Sequence, residues 1–375
     1  MKIVTVIGAR PQFVKAAPLS RLILKQYSAK ISEIIVHTGQ HYDANMSDIF
    51  FEELEIPKPA YHLGVGSGSH GVQTGKMLAE IEKVLQMESP DLLIIYGDTN
   101  STLAGALAAA KIHIPIAHIE AGLRSFNMLM PEEQNRIIAD HLSSLLFCPA
   151  ETAIRNLAKE NIYDGKILKN SMKKPVLVKN VGDIMFDAVL FNSKISDAKS
   201  SILKNLQLTG DGYVLTTIHR QENTDDPEKL RSIFAALGKI DSPVVIALHP
   251  RTKKFIGQYG IKLSGNLLII EPVGYLDMIQ LEKNSKMIIT DSGGVQKEAY
   301  FFKKPCITLR DETEWVETVD AGWNYLAEIS EEVIIRKYQE IKSRDFSGME
   351  YHPLYGDGNA SERILSFITA SFDRD

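Results

Sequence analysis

Cysteine is scarce in this chain, and its placement argues against a protein held together by disulfides or metal clusters. The 375 residues include only two cysteines, Cys148 and Cys306. Each lies beside an apolar run, which predicts a buried thiol rather than a disulfide. No group of cysteines and histidines has the spacing of a metal site. The sequence therefore predicts no bound metal.

Long apolar runs and a strong net charge are also missing. No apolar stretch approaches the roughly 18 residues that span a bilayer, and the chain starts on a strand-like run at residues 3–7 without a signal-peptide pattern. The formal net charge of -5 argues against nucleic acid as a partner. A basic run with five lysines at residues 166–179 is typical of a solvated loop. We expect a cytoplasmic protein that binds neither nucleic acid nor membrane.

Short apolar runs instead alternate with amphipathic segments along almost the whole chain. Apolar runs occur at residues 3–7, 34–37, 92–96, 116–119, 145–147, 213–218, 244–248, 267–270, 287–290 and 306–309. This alternation predicts parallel sheets covered by helices on both faces. The predicted fold is α/β, with two Rossmann-like doubly wound domains that face a cleft. The first domain is predicted at 1–175 with a terminal helix at about 360–375, and the second at 176–359.

Acidic residues follow the predicted strands of the first domain. Asp98 and Glu120 each come just after an apolar run, and Glu132 and Glu133 follow Pro131. Ligands bind at the carboxyl ends of strands in open α/β sheets, so these acids suggest proton-transfer chemistry. A simpler alternative is that Asp98 caps a helix and that Glu132 and Glu133 favour a helix start.

Glu120 has less structural reason to be there. It is flanked by apolar residues and needs a cationic partner, which the sequence suggests is Arg124.

The turn after the first strand has the composition of an anion site. Gly8 ends the strand, a helix begins near Pro11, and Arg10 and Lys15 would add positive charge for a phosphate. The turn lacks the G-x-G-x-x-G pattern of dinucleotide-binding proteins. A surface arginine and lysine at a helix start are the alternative.

Two motifs in the second domain suggest a nucleotide diphosphate. Ser292, Gly293 and Gly294 lie between a strand and a helix, where backbone N–H groups can approach a diphosphate, although glycine in a tight turn is the alternative. Glu298 could accept hydrogen bonds from ribose hydroxyls. His219 and Arg220 follow another strand and suit phosphate charge or a proton relay, although they could simply shape a loop.

Taken in order, these motifs resemble the non-hydrolysing UDP-N-acetylglucosamine 2-epimerase family along essentially the whole chain. The motifs are Gly8-Ala9-Arg10-Pro11, His37-Thr38-Gly39-Gln40-His41, Gly97-Asp98-Thr99, His118-Ile119-Glu120-Ala121-Gly122-Leu123-Arg124, Pro131-Glu132-Glu133, His219-Arg220-Gln221-Glu222-Asn223, Asp291-Ser292-Gly293-Gly294 and Arg310-Asp311. The resemblance implies a homodimer, the domain arrangement called GT-B, and no obligatory metal or nicotinamide cofactor.

The reaction implied by this resemblance inverts C2 of a UDP-2-acetamido sugar, as in UDP-GlcNAc to UDP-ManNAc, for surface polysaccharide synthesis. UDP is eliminated to leave a 2-acetamidoglycal and is then added back. The implied catalytic residues are Asp98, Glu120, Glu132 and His219. The implied substrate-binding residues are Arg10, Lys15, Arg220, Ser292, Gly293, Gly294, Glu298 and Arg310.

Two departures from the family pattern leave the sugar open. Gly8-Ala9-Arg10-Pro11-Gln12 replaces the usual Gly-Thr-Arg-Pro-Glu, and Thr313-Glu314-Trp315-Val316-Glu317 replaces Thr-Glu-Arg-Pro-Glu. Both variants resemble the branch that acts on UDP-2,3-diacetamido-2,3-dideoxy-glucuronate, an O-antigen precursor. Such a uronate needs one more cation than UDP-GlcNAc, with Arg124, Arg220 and Arg251 as candidates. A glycosyltransferase of the GT-B fold and a non-catalytic sensor of nucleotide sugars are the alternatives outside the family.

Overall fold

A computed structural model of the chain describes residues 1–39, 55–166 and 175–372. Its contacts divide the chain into two compact units. Met1–Ala188 and Pro353–Asp375 form the first unit, and Val189–His352 form the second. The sequence-based division lies near residues 175 and 359. Residues 167–174, most of the predicted basic loop, and Gln40 and His41 of one motif lie outside the described residues.

The first unit contains seven parallel strands among its described residues. They are β1 (Lys2–Ile7), β2 (Ser32–His37), β3 (Tyr61–His62), β4 (Leu92–Tyr96), β5 (Ile116–Ile119), β6 (Leu145–Cys148) and β7 (Leu177–Asn180). The helices are α1 (Arg10–Leu22) with a π-helical turn at Ile23–Tyr27, α2 (His70–Glu88), α3 (Asn100–Lys111), α4 (Pro131–Leu142), α5 (Glu151–Lys159), α6 (Ile184–Lys199), which continues into the second unit, and the terminal helix at Ala360–Phe372.

The second unit repeats this plan with six parallel strands among its described residues. They are β8 (Val214–Thr217), β9 (Val244–Ala247), β10 (Leu267–Ile270), β11 (Met287–Thr290), β12 (Cys306–Thr308) and β13 (Asn324–Leu326). The helices are α7 (Ile202–Asn205), α8 (Gln221–Thr224), α9 (Pro227–Gly238), α10 (Pro250–Gln258), α11 (Tyr275–Lys283), α12 (Gly293–Phe301), α13 (Val316–Asp320) and α14 (Glu331–Lys342). The terminal helix, Ala360–Phe372, is α15.

Both sheets are doubly wound. The strand order is β3-β2-β1-β4-β5-β6-β7 in the first sheet and β10-β9-β8-β11-β12-β13 in the second. The order reverses between β1 and β4 in one sheet and between β8 and β11 in the other. Ligands bind beyond the carboxyl ends of the strands at such reversals. The prediction of two Rossmann-like α/β domains is therefore confirmed.

Alternate residues of the second sheet enter separate cores, because successive side chains of a strand point to opposite faces. Val214, Ile246 and Ile289 pack in one buried cluster, while Leu215 and Ile288 pack in another. Helices cover both faces, so both faces of these strands carry buried apolar side chains. Cys306 belongs to the second cluster, and burial raises the pKa of its thiol to about 12.

Across residues 1–39, 55–166 and 175–372, no helix combines the length and the apolar composition that a bilayer crossing requires.

Candidate active site

The predicted acids of the first unit follow neighbouring strands at the carboxyl edge of its sheet. Asp98 comes after β4 and Glu120 directly after β5. The ammonium of Lys15, in the second turn of α1, donates to Oε2 of Glu120, and both side chains are mostly buried. The prediction that Arg124 partners Glu120 is wrong, because Lys15 takes that place. A carboxylate and an ammonium therefore meet beside the reversal of strand order.

Left-handed backbone conformations occur at this ion pair and directly beside it. Glu120 has a φ of 72°, in the left-handed region that favours glycine. Gly97, after β4, has a φ of 59°, and a Cβ there would lie 3.0 Å from Oε2 of Glu120 and 3.1 Å from Nζ of Lys15. Strain of this kind is typical of functional sites. A side chain at residue 97 would therefore crowd the ion pair.

Substituting Gly97 tests this fit. We expect Gly97→Ala to lower the free energy of unfolding by about 1–3 kcal/mol, since alanine disfavours the left-handed region and displaces the ion pair. Gly75→Ala is the matched control, because Gly75 lies in α2 with open space around it and alanine favours a helix. Chemical denaturation measures both. Equal effects in the two variants would contradict the assignment.

Asp98 and Glu133 are joined through one arginine of α4. Nη2 of Arg136 donates to Oδ2 of Asp98 at 2.6 Å, and its Nη1 lies 3.1 Å from Oε2 of Glu133. Glu133 is buried and accepts the backbone N–H groups of Ser125 and Phe126, each at 2.9 Å. Glu133 therefore holds the loop at Ser125 and Phe126 in place, and both of its carboxylate oxygens are engaged in these contacts.

The surroundings of Asp98 and Glu132 test the alternatives in which Asp98 caps a helix and Glu132 only favours a helix start. Glu132 is exposed, and its side chain makes no hydrogen bond or ion pair with the described residues. The helix that follows Asp98 is capped by the side chain of Thr99, so the alternative in which Asp98 is the cap is wrong. Asp98 is thus held by Arg136 rather than used as a helix cap, and Glu132 lies in the first turn of α4, as the helix-start alternative predicts.

A buried network of four charged or titratable groups lies behind Glu120. His118 is within 2.7 Å of Oδ1 of Asp140 and of the carbonyl oxygen of Gly97. Arg124 donates to Oδ2 of Asp140 at 2.7 Å and binds both carboxylate oxygens of Glu160 at 2.6 and 2.8 Å. Burial alone would raise the pKa of Asp140, but His118 and Arg124 outweigh it and hold that pKa below its usual value.

The turn after β1 is tied to the neighbouring strand by Gln12. Its Oε1 accepts the N–H groups of Gly8 and Ala9 at 2.8 and 3.1 Å, and its Nε2 donates to the carbonyl oxygen of Tyr96 at 2.9 Å. A glutamate could not make the last bond, because an ionised carboxylate only accepts. Arg10 begins α1 beside this turn. Glutamine at residue 12, where the family pattern has glutamate, is therefore compatible with the hydrogen bonds of this turn.

In the second unit, Asp291 organises the predicted phosphate loop. Its buried carboxylate accepts the backbone N–H groups of His219 and Arg220 at 3.0–3.1 Å and the amide of Asn223 at 3.1 Å. The His219 ring lies 3.5 Å from the same carboxylate, and its side chain is 42% exposed. His219 and Arg220 are therefore presented at the carboxyl end of β8.

The glycine-rich turn follows the adjacent strand, β11. Ser292 precedes α12, which begins at Gly293, so the first N–H groups of this helix point toward the carboxyl edge of the sheet. A Cβ on Gly293 would lie 2.6 Å from Oε1 of Glu314, whereas Gly294 has open space. The turn has the form that receives a phosphate at a helix start.

Two further predicted residues flank this turn. Arg310, at the end of β12, is buried, and its Nη1 donates to Oε2 of Glu314 at 3.0 Å. Glu298, inside α12, is buried and accepts the hydroxyl of Tyr275 at 3.0 Å. The predicted residues thus form two groups, one on each unit. The first holds Arg10, Lys15, Asp98, Glu120 and Glu132; the second holds His219, Arg220, Ser292, Gly293, Gly294, Glu298 and Arg310.

The supporting residues were not predicted as site residues. Asp140 and Gln12 hold backbone of the first group, Arg136 holds the carboxylate of Asp98, and Asp291 holds backbone of the second group. A polar side chain inside an otherwise apolar strand, such as His118, is a sequence signal for such support. Its partner in a distant helix leaves no such signal.

These features define an α/β protein with two doubly wound sheets and polar groups at both reversals of strand order. The family profile described as UDP-N-acetylglucosamine 2-epimerase matches residues 24–369. The chain belongs to this epimerase family, whose members are isomerases.

Individual relatives cover almost the whole chain. It is 51% identical over 371 residues to the UDP-2,3-diacetamido-2,3-dideoxy-D-glucuronate 2-epimerase of Pseudomonas aeruginosa PAO1, covering 98% of this chain and 99% of the relative. It also resembles the crystal structure of the Methanocaldococcus jannaschii UDP-GlcNAc 2-epimerase in complex with UDP-GlcNAc and UDP. That structure has a TM-score of 0.88 and 43% identity, over 99% of this chain and all of the other.

Proposed function

We propose that this chain inverts C2 of a UDP-2-acetamido sugar without hydrolysing it. The observation that carries the proposal is the Glu120–Lys15 pair, held at a strained backbone position beside Asp98 at the carboxyl edge of the first sheet. The C2 proton of such a sugar is weakly acidic, so its removal needs a positioned carboxylate. Family membership and the relative crystallised with UDP-GlcNAc and UDP support the same reaction.

The proposed reaction has two balanced halves. A carboxylate, Asp98 or Glu120, takes the C2 proton while the C1–O bond breaks, and the leaving UDP keeps that electron pair. A C1=C2 double bond remains in the 2-acetamidoglycal. UDP then adds back at C1 while an acid delivers a proton to the other face of C2, with Glu132 and His219 as the further candidates. No redox change occurs.

The leaving UDP carries negative charge that must be stabilised while it is detached. In the proposal, the N–H groups at the Ser292-Gly293-Gly294 turn, the cations Arg10 and Lys15, and the imidazole of His219 supply that stabilisation. Glu298 is assigned to the ribose and Arg310 to the uracil or its surroundings. The cleft between the domains, the homodimer and the cytoplasmic location stay predictions.

Proton NMR in heavy water tests the reaction class. Purified protein is mixed with UDP-GlcNAc or with the diacetamido-uronate, and deuterium at C2 is followed together with the manno product. Exchange in either sugar supports an epimerase. A protein that binds both sugars without exchange would be a sensor, and one that consumes them only with an acceptor would be a transferase; either result overturns the proposal.

Of the two candidate substrates, the diacetamido-uronate is favoured over UDP-GlcNAc by the contacts of one arginine. The guanidinium of Arg124 is bound to Asp140 and Glu160, and that of Arg251 is bound to Asp225 and Thr224. The guanidinium of Arg220 makes no hydrogen bond or ion pair with the described residues, although its backbone is fixed by Asp291. Of the three candidates, Arg220 is thus the one with a guanidinium available for a substrate carboxylate. The relative from Pseudomonas is named for that substrate.

The variant Arg220→Met tests this assignment. We expect kcat/KM for the uronate to fall about 10- to 100-fold, because a charge-assisted hydrogen bond is worth about 1.5–3 kcal/mol. The value for UDP-GlcNAc should change by less than about threefold. Arg251→Met is the matched control and should affect neither sugar selectively. An equal loss with both sugars would place Arg220 on the shared diphosphate instead.

A further inference from the structure

A cavity lies at the amino edge of the second sheet, opposite to the edge that carries the Ser292-Gly293-Gly294 turn. It has a volume of about 430 Å³ and is lined by residues just before or at the amino ends of the strands. Met287 opens β11, Pro305 precedes β12 and Trp323 precedes β13. The predicted phosphate turn follows the carboxyl end of β11. The cavity is therefore separate from the residues assigned to the reaction.

Aromatic and apolar side chains form one wall of this cavity. Trp323 is 2% exposed and packs with its ring centroid 5.5 Å from that of Phe346 and 6.4 Å from that of Tyr300. Tyr351 lies 5.0 Å from the same Tyr300 ring, and Met349 also lines the cavity. Such a wall can stack against a flat ring of a ligand.

Cations dominate the rest of the lining. Lys286, Lys303, Lys304, Lys342 and Arg344 line the cavity, together with a single carboxylate, Asp211. Asp211 is bound by Lys304 at 2.7 Å, and Lys342 pairs with Asp241. The other three cations of the lining are Lys286, Lys303 and Arg344.

Those three cations have no carboxylate partner in the described part of the chain. Nζ of Lys303 lies 4.9 Å above the Tyr351 ring, and Nη1 of Arg344 donates to the Tyr325 hydroxyl at 2.9 Å. Lys286 is exposed. In a chain of net charge -5, an uncompensated positive cluster beside an aromatic wall attracts an anion.

We propose that this cavity binds a nucleoside di- or triphosphate. The base stacks on the partly exposed rings of Phe346 and Tyr351, with the buried Trp323 ring behind Phe346, and the phosphates contact Lys286, Lys303 and Arg344. The volume falls within the roughly 300–1,000 Å³ of small-molecule pockets. Lysine and arginine are the usual partners of phosphate oxygens. This site is additional to the proposed substrate site and does not depend on it.

Tryptophan fluorescence of the full chain tests the proposal. The chain has two tryptophans, so Trp315→Phe leaves Trp323 as the reporter. ATP is titrated in the presence of saturating UDP, so that any UDP site contributes a constant signal. We expect saturable quenching, and at least tenfold weaker binding when Lys303→Glu and Arg344→Glu are added. Lys253→Glu, an exposed lysine of α10 paired with Glu271, is the control and should leave the affinity within about twofold.

Two ligand fragments separate the parts of the assignment. Adenosine should quench weakly, and pyrophosphate should compete with ATP but bind less tightly. Absent quenching, or an equal loss in the Lys253→Glu control, would overturn the site. Pyrophosphate binding as tight as that of ATP would overturn the stacked base and with it the nucleotide assignment.

Discussion

Replacing Glu120 with glutamine is expected to lower kcat for C2 exchange by about 10²- to 10⁴-fold, which is the usual contribution of a positioned acid or base. In free energy this is about 3–5 kcal/mol of activation. Glutamine keeps the shape of the side chain but cannot take or give the proton. The strained backbone at residue 120 and the glycine at 97 keep the amide in the place of the carboxylate. The rate of deuterium incorporation at C2 measures the loss.

A purely structural role for Glu120, as the partner of Lys15, has a different signature. Lys15→Met removes the same ion pair but leaves the carboxylate, so it should keep both limbs of the pH profile of kcat/KM, whereas Glu120→Gln should lose one limb. Glu80→Gln, an exposed carboxylate on α2, is the matched control for the charge change. If Glu120→Gln and Lys15→Met gave the same profile, Glu120 would be a positioning residue.

Replacing Arg124 with methionine is expected to lower the free energy of unfolding of the first unit by about 3–5 kcal/mol at neutral pH. Removing one partner of a buried ion pair leaves the other charge uncompensated, and this costs far more than losing a surface pair. Arg124 holds both Asp140 and Glu160. Urea denaturation, followed by circular dichroism and by hydrogen exchange of peptides from residues 116–124, measures the effect.

The acid dependence of this network follows from its carboxylates. The pKa of Asp140 is held below its usual value because His118 and Arg124 together outweigh the effect of burial, and the pKa of Glu160 is lowered in the same way by Arg124 and His141. Their contribution to stability is therefore complete above about pH 4–5 and is lost as the pH falls through the lowered pKa values. Arg124→Met should flatten this acid limb.

Arg155→Met is the control for the loss of an arginine. Arg155 is exposed on α5 and donates only to Thr152, so its change should stay within about 0.5 kcal/mol. The double variant Arg124→Met with Asp140→Asn should be less destabilised than the sum of the single variants, because the two residues share one interaction. Additive effects, or a loss at Arg124 no larger than at Arg155, would rule out the network.

The fold could be predicted because its strands are continuous apolar runs. Ten such runs in the sequence coincide with strands, from β1 to β12. No comparable apolar run marks β3, β7 and β13. β3 has two residues and β13 has three, and β7 contains Lys179 and Asn180. Short or polar strands are recognised by their neighbours in the sheet rather than by their own composition.

The partners in the site could not be predicted because they come from distant parts of the chain. Glu120 was matched with Arg124, four residues away, yet its ammonium partner lies 105 residues earlier in α1. Arg124 is instead taken by groups 16 and 36 residues later. The rule that strand ends carry ligands places Asp98 and Glu120 correctly at the sheet edge, but only packing decides which cation reaches them.

The terminal helix α15 bears on how the chain completes its fold during synthesis. Asp187 accepts the backbone N–H groups of Ala360 and Ser361 at 3.0 and 2.8 Å, and the ring of Phe367 stacks at 6.4 Å from that of Phe147. The earlier of the two units in the chain therefore lacks part of its core until residues 360–372 have emerged from the ribosome. The second unit is one uninterrupted stretch and has all its residues earlier. The order of translation is thus not the order in which the two units become complete.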